Sequence, residues 1–215
     1  MRLPEGCVVA VGLASEARCL PPGTRVLVSA GDPARLAAAL AALPPGEARA
    51  LLSFGIAGGL APGTRAGDLL VAEALREGDE FHLPDAAWSA RLQAASGARP
   101  GVLAASARLV ASPAEKRALH AATRALAVDM ESGVVARHAA AQGLPFAVLR
   151  AVADGPEEAL PRAAADALTP SGEPALGRVL AALARRPWEL PALLRLGRAS
   201  ARAHAALRAI RWDGA

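Results

Sequence analysis

The sequence predicts a single α/β sandwich on three observations: short apolar runs that recur along the chain, alanine-rich helical segments between them, and a composition 53% hydrophobic and only 20% charged. The apolar runs fall at residues 7–13, 25–29, 51–54, 69–74, 102–105, 125–128 and 146–152. They have strand length and are apolar throughout, as expected of strands buried on both sides. Helical segments lie at 33–43, 113–122 and 131–142, the last closed by Gly143 and Pro145, a C-cap glycine and a residue that cannot continue a helix. Gly/Pro clusters at 21–23, 44–46, 58–67 and 155–161 are too short for domain linkers. One domain over 1–215 is expected, with a helical C-terminal extension at about 174–212.

The bulk chemistry excludes several classes. The net charge of +4 comes without an aromatic-interleaved basic strand or zinc-ligand spacing, so nucleic acid is not an expected partner. Cys7 and Cys19 are too few for a disulfide scaffold and lack ligand neighbours, which suits a reducing cytoplasm and predicts no metal. The run at 7–13 is flanked by Glu5 and Glu16 and is short for a signal peptide, and no apolar stretch of spanning length occurs. Arginine supplies every basic residue except Lys116, and tyrosine is absent; both read as coding bias.

Positive charge gathers near the C-terminus, where Arg185, Arg186, Arg195, Arg198, Arg202, Arg208 and Arg211 face only Glu189 and Asp213. A helix starting near Pro191 places Leu193, Leu196, Ser200, Ala203, Leu207 and Ile210 on one stripe and Arg195, Arg198 and Arg202 on another. Such a helix suits a layer packed on the domain, a subunit contact, or peripheral contact with an anionic membrane.

In open α/β sheets, ligands bind beyond the C-terminal ends of the strands. Three such places carry polar residues. Glu16 follows the first strand. The segment SFGIAGGL at 53–60 is a glycine-rich turn whose missing side chains admit close approach, without the Lys and Ser/Thr of a triphosphate loop or the dinucleotide spacing. The segment AVDMESGVVARHAAAQGLPFAVLRAVADGP at 127–156 brings Asp129 and Glu131 to one strand end and Arg150 and Asp154 to the next. Unpartnered, these charges would cost several kcal/mol each on burial. A ligand-facing crevice and a structural Arg150–carboxylate pair both answer that cost.

SFGIAGGLAPGTRAGDLLVA together with AVDMESGVVARHAAAQGLPFAVLRAVAD resembles the purine nucleoside phosphorylase and nucleosidase superfamily over about 7–156. The motif order is similar to that of methylthioadenosine/S-adenosylhomocysteine nucleosidases. It is most similar to the hopanoid-associated phosphorylases, a likeness that extends to the tail RRPWELPALLRLGRASARA. The resemblance implies a three-layer sandwich with a mixed central β-sheet, a homodimer, and cleavage of the N-glycosidic bond of a 5′-substituted adenine nucleoside. The implied substrate is lipid-linked adenosylhopane.

By the same resemblance, Asp154 protonates or hydrogen-bonds purine N7, Glu131 accepts the ribose hydroxyls, Met130 lines the sugar, Glu16 handles the attacking water and Arg150 helps hold the nucleophile. Asp129, Ile56, Gly58 and Val110 are expected at the substrate, and Phe81 and His82 in its pocket. His120, His138 and His204 are read as non-catalytic, and Trp88, Trp188 and Trp212 as packing or interface residues. Ser53 and Ile56 stand where the phosphorylases carry arginine and serine, which favours water over phosphate unless Arg18, Arg65 or a second subunit substitutes. Val110 replaces a stacking aromatic and Ala153 a serine before the acid. No metal or organic cofactor is implied, and phosphate is a co-substrate only under phosphorolysis. A nucleoside-lipid binding protein without turnover is the reading from another class.

Overall fold

A computed structural model describes residues 1–161 and 185–213, so the part of the C-terminal extension at 174–184 lies outside the described residues. The chain runs β1 (Cys7–Val11), α1 (Ala14–Ala17), β2 (Arg25–Val28), α2 (Pro33–Ala41), β3 (Ala50–Gly59), β4 (Leu69–Glu77), β5 (Glu80–His82), α3 (Ala86–Ser96), β6 (Arg99–Ala105), α4 (Pro113–Thr123), β7 (Ala127–Asp129), α5 (Ser132–Gln142) and β8 (Phe146–Asp154). After the undescribed residues come a 3-10 turn (Pro187–Glu189) and α6 (Leu190–Arg208).

The central sheet is mixed, as expected. β1 lies parallel between β2 and β3, and β8 runs parallel to β3 over most of its length and antiparallel to β4. β4 pairs with β5 and β6, and β6 with β7. The end of β3 turns to pair antiparallel with β7, Gly58 opposite Val128 and Gly59 opposite Ala127. Strands β3, β8, β4, β6 and β7 therefore close a ring, a feature that apolar runs do not disclose because β3 changes partners along its length.

Helices cover both faces. Leu36 and Leu40 of α2 and Val134, Val135 and Ala139 of α5 pack with Val8, Ala10 and Val148 on one side. Trp88 of α3 and Ala203 and Leu207 of α6 pack with Val9, Phe54 and Leu149 on the other. The inner face of α6 thus takes the packing role. The tail behind it is fastened by Trp212, whose ring meets Phe54 edge-on at 6.2 Å and whose Nε1 donates to the Cys19 carbonyl at 3.2 Å. Burial of each such large side chain contributes about 1.5–3 kcal/mol. Trp88 and Trp212 are core residues, whereas Trp188 is exposed.

Several elements differ from the sequence expectation. The glycine-rich segment is a strand, not a turn, for β3 continues to Gly59 with a register shift between Ala57 and Gly58. Arg150 sits in the middle of β8 and not at its end. β5, α1 and α3 carry no strong apolar period, so composition alone did not mark them.

Candidate active site

The C-terminal ends of β1, β3, β7 and β8 border one cavity of about 660 Å³, and Glu16, Glu131 and Asp154 all line it. Each carboxylate arrives by a different local device. α1 begins immediately after β1, which folds Glu16 back so that its Oε2 accepts the amides of Gly12 and Leu13, both at 2.8 Å. Its Oε1 accepts the Ile56 amide at 2.8 Å. Glu131 caps α5, and its Oε1 accepts from Ser29 Oγ at the end of β2, 2.8 Å away. Asp154 ends β8.

Glycines make room for these acids. A Cβ on Gly12 would lie 3.1 Å from Glu131 Oε1 and 3.5 Å from Glu16 Oε2, so both carboxylates rest against one backbone position. A Cβ on Gly55, at φ +149°, would lie 2.6 Å from the Glu16 carboxylate. The glycine-rich strand therefore admits an acid of the chain itself. Gly55→Ala is expected to destabilise the fold by about 1–3 kcal/mol through strain and overpacking, read from the urea midpoint. An unchanged midpoint would mean that Glu16 moves aside at no cost.

Burial pushes all three acids up. Glu16 rises from 4.5 to about 7, chiefly by desolvation and then by the charge of Glu131, against the lowering effect of the Ile56 and Leu13 amides. Glu131 is raised by burial, opposed first by the Arg150 guanidinium. Asp154 is raised by burial, opposed by the charge of Lys116. The acids share a direction; Arg150 opposes it at Glu16 and Glu131, and Lys116 at Asp154.

Arg150 forms the structural carboxylate pair that the sequence left open beside a role at the nucleophile. It is fully buried and absent from the cavity wall; its Nη2 donates to Asp129 Oδ1 at 2.7 Å and Ser53 Oγ at 2.6 Å, with Glu131 Oε2 at 3.6 Å. It anchors the Asp129 and Glu131 carboxylates from outside the cavity lining. Asp129 borders the cavity, but its oxygens already accept the Glu131 and Ser132 amides and the Ser132 hydroxyl. It shapes the start of α5.

Met130, Ile56, Gly58 and Val110 line the cavity with the three acids. Phe81 and His82 do not; they border a separate pocket of about 410 Å³, because β5 pairs only with β4 at the sheet edge. No histidine lines the cavity among the described residues. His204 instead ties α6 to α1, its Nε2 lying 2.9 Å from Ser15 Oγ. Arg65 is exposed and off the cavity wall.

Sequence reasoning missed three groups. Ser29 orients Glu131, and Arg108 stands at the cavity mouth, 2.6 Å from Glu115. Lys116, fully buried on α4, is ion-paired with Asp154. Its signal was its rarity: one lysine among 24 basic residues, four positions after the helix-capping Ser112.

A family model described as the phosphorylase superfamily matches residues 22–185. The chain belongs to that superfamily. Within the phosphorylase superfamily it is similar to the futalosine hydrolase of Streptomyces coelicolor, 33% identical over 167 residues that span 65% of this chain and 71% of that protein. Among solved structures, a mutant 5′-methylthioadenosine nucleosidase of Helicobacter pylori, with 5′-methylthioadenosine in its active site, aligns with a TM-score of 0.67 at 17% identity. That alignment covers 96% of this chain and 97% of the other. Futalosine hydrolase of the same organism aligns at 0.64 and 17%, covering 94% and 95%. These two structural likenesses establish the superfamily's fold for the chain.

Proposed function

We propose that the protein hydrolyses the N-glycosidic bond of a 5′-substituted adenine nucleoside, with adenosylhopane as the substrate. The observation that carries this reading is the convergence of Glu16, Glu131 and Asp154, remote in sequence, on one cavity large enough for a nucleoside. Asp154 makes the purine a better leaving group by hydrogen-bonding or protonating N7. Glu131 accepts the ribose hydroxyls and steadies the positive charge that develops on the sugar, beside Met130. Glu16, pushed up to about 7, takes the proton of the attacking water near physiological pH.

Electrostatics favours water over phosphate. Four carboxylates, Glu16, Asp129, Glu131 and Asp154, border the cavity, and among the described residues its only lining cation is Arg108, already engaged by Glu115. A phosphate dianion there would meet like charge without the bidentate cation that strong anion binding uses.

The apolar part of the lining suits an apolar 5′ group, since Leu109, Leu160 and Leu196 belong to it. Leu196 belongs to α6, whose outer surface carries Leu190, Leu194, Arg195, Arg198 and Arg202, with Trp188 exposed just before it. Apolar side chains rimmed by arginines favour peripheral contact with an anionic bilayer, where a lipid-linked nucleoside would be presented. A second reading, futalosine as substrate, draws on the 33% identity to the Streptomyces enzyme.

Free base release from adenosylhopane in anionic vesicles, from methylthioadenosine and from futalosine, each with and without phosphate, tests the proposal. Adenine release from adenosylhopane at a phosphate-independent rate, with a free reducing sugar as co-product, is expected. A phosphate requirement with ribose 1-phosphate as product would replace hydrolysis by phosphorolysis, and preferred turnover of futalosine would favour the second reading. Binding without release from any of them would mark a non-catalytic nucleoside-binding protein.

A further inference from the structure

The glycosidase reading leaves one group unused, a fully buried cation behind the cavity-lining Asp154. Lys116 Nζ lies against Asp154 Oδ2 and donates to the carbonyls of Gly155 and Glu158, both at 2.8 Å. Three protons meet three acceptors, so the site is built for an ammonium ion. The placement follows from local sequence. Ser112 and Glu115 close a capping box over Pro113, which starts α4 beside the end of β8 and points the first-turn lysine at it.

This arrangement poses a proton problem. The charge of Lys116 favours the ionised form of Asp154, yet the departing purine needs a proton. We propose that Lys116 is the proton source behind Asp154: as the bond to the sugar breaks, a proton passes from Lys116 Nζ to the Asp154 carboxylate, and from that carboxyl group to purine N7. Asp154 touches the substrate; Lys116 acts through it and is a positioning residue.

The step balances. The electron pair of the C1′–N9 bond leaves with the purine, which takes one proton and departs neutral. The sugar cation captures water, whose released proton goes to Glu16. Lys116 ends as the neutral amine and Asp154 as the carboxylate. One water is consumed, and Glu16 and Lys116 return to their starting states by exchange with solvent once the products leave. Burial, which disfavours charge, eases the Asp154 carboxylate's gain of a proton.

The other charged groups nearby are otherwise engaged. On the loop after β8, the Glu158 carboxylate accepts the Gly155 amide at 3.1 Å and Glu157 pairs with Arg117. On α4, Glu115 pairs with Arg108, and His120 Nδ1 lies 2.8 Å from the Ala125 carbonyl. Glu16 and Glu131 line the same cavity as Asp154.

The proposal rests on the hydrolysis reading, and Lys116→Met, Asp154→Asn and the double variant test it with the nucleoside that the wild type turns over. Lys116→Met is expected to lower kcat about 10²–10⁴-fold at pH 8, with KM within roughly threefold. Its remaining activity should fall as pH rises above neutrality, about tenfold per unit, because Asp154 itself must then carry the proton; the wild type should not show this fall. A merely structural lysine would change rate and KM together without that pH trend, and this outcome overturns the proposal.

The double variant should be no more than about threefold slower than Asp154→Asn alone, since the two residues act as a unit. A further drop of about tenfold or more would show separate roles and also overturn it. Having lost both buried charges, the double variant keeps the comparison available if Lys116→Met does not fold. An active wild type with an equally active Lys116→Met variant removes the relay and leaves hydrolysis standing. A wild type that releases no base from any nucleoside removes both.

Discussion

Glu16→Gln is expected to lower turnover by about 10²–10⁴-fold, the range for loss of a general base. The glutamine keeps the size of the side chain and an oxygen for the backbone amides, but it cannot take a proton from water. In the wild type, kcat/KM should rise as pH passes about 7 and fall away below it, because the base works only when ionised. That acid limb should vanish in the variant, whose residual rate should be low at every pH.

The same substitution should change how stability depends on pH. The folded state holds Glu16 at about 7 against 4.5, so the neutral form is the one the fold favours. Its contribution is fully present below about 4.5 and is lost as pH rises towards 7. A shift of this size corresponds to roughly 3 kcal/mol. Glu131 and Asp154 are raised as well and add the same sign. Wild-type urea midpoints should therefore fall between pH 4.5 and 7, and Glu16→Gln should flatten part of that slope. Equal slopes in the two proteins would show that Glu16 titrates in its ordinary range.

Arg150→Met should produce the largest loss of stability, about 3–5 kcal/mol, because it leaves Asp129 and Glu131 buried without their cation. That is a large share of the 5–15 kcal/mol typical of a domain. Arg150 is not an optimal stabiliser in its own right: its Nε and Nη1 have no hydrogen-bond partner among the described residues. Its value lies in holding two buried acids at the edge of the cavity. Arg150→Met/Asp129→Asn removes one of the orphaned charges and should recover part of the loss, measured by denaturant unfolding at neutral pH. If Arg150→Met stays within 1 kcal/mol of the wild type, water or a rearrangement supplies the missing partner.

How much of this was legible beforehand varies by residue. Glu16, Glu131 and Asp154 stood out because each is an acid beside a strand of apolar neighbours, and their gathering at one cavity follows from the sheet rule that places ligands beyond strand ends. Gly55 and Gly12 were visible as glycines, but their purpose was not. What a missing Cβ makes room for is a matter of which side chain arrives from elsewhere, here Glu16 and Glu131. Lys116 was visible only as a rarity. Its partner is 38 positions away, and nothing in the spacing marks the pair. Phe81 and His82 were expected at the substrate, yet β5 pairs at the far edge of the sheet, so in this chain they border another pocket.

The sequence by itself determined the layers and the elements with strong periodicity, because buried strands and capped helices are local choices between chain and water. It also determined the inventory of acids and the rarity of lysine. Only the tertiary structure decided which strand β3 leaves and which it joins, so that β3, β8, β4, β6 and β7 close on themselves. It alone gave Arg150 to Asp129 and Lys116 to Asp154. Such pairings are set by distances across the core, where low dielectric makes a charge's neighbour matter more than its place in the chain.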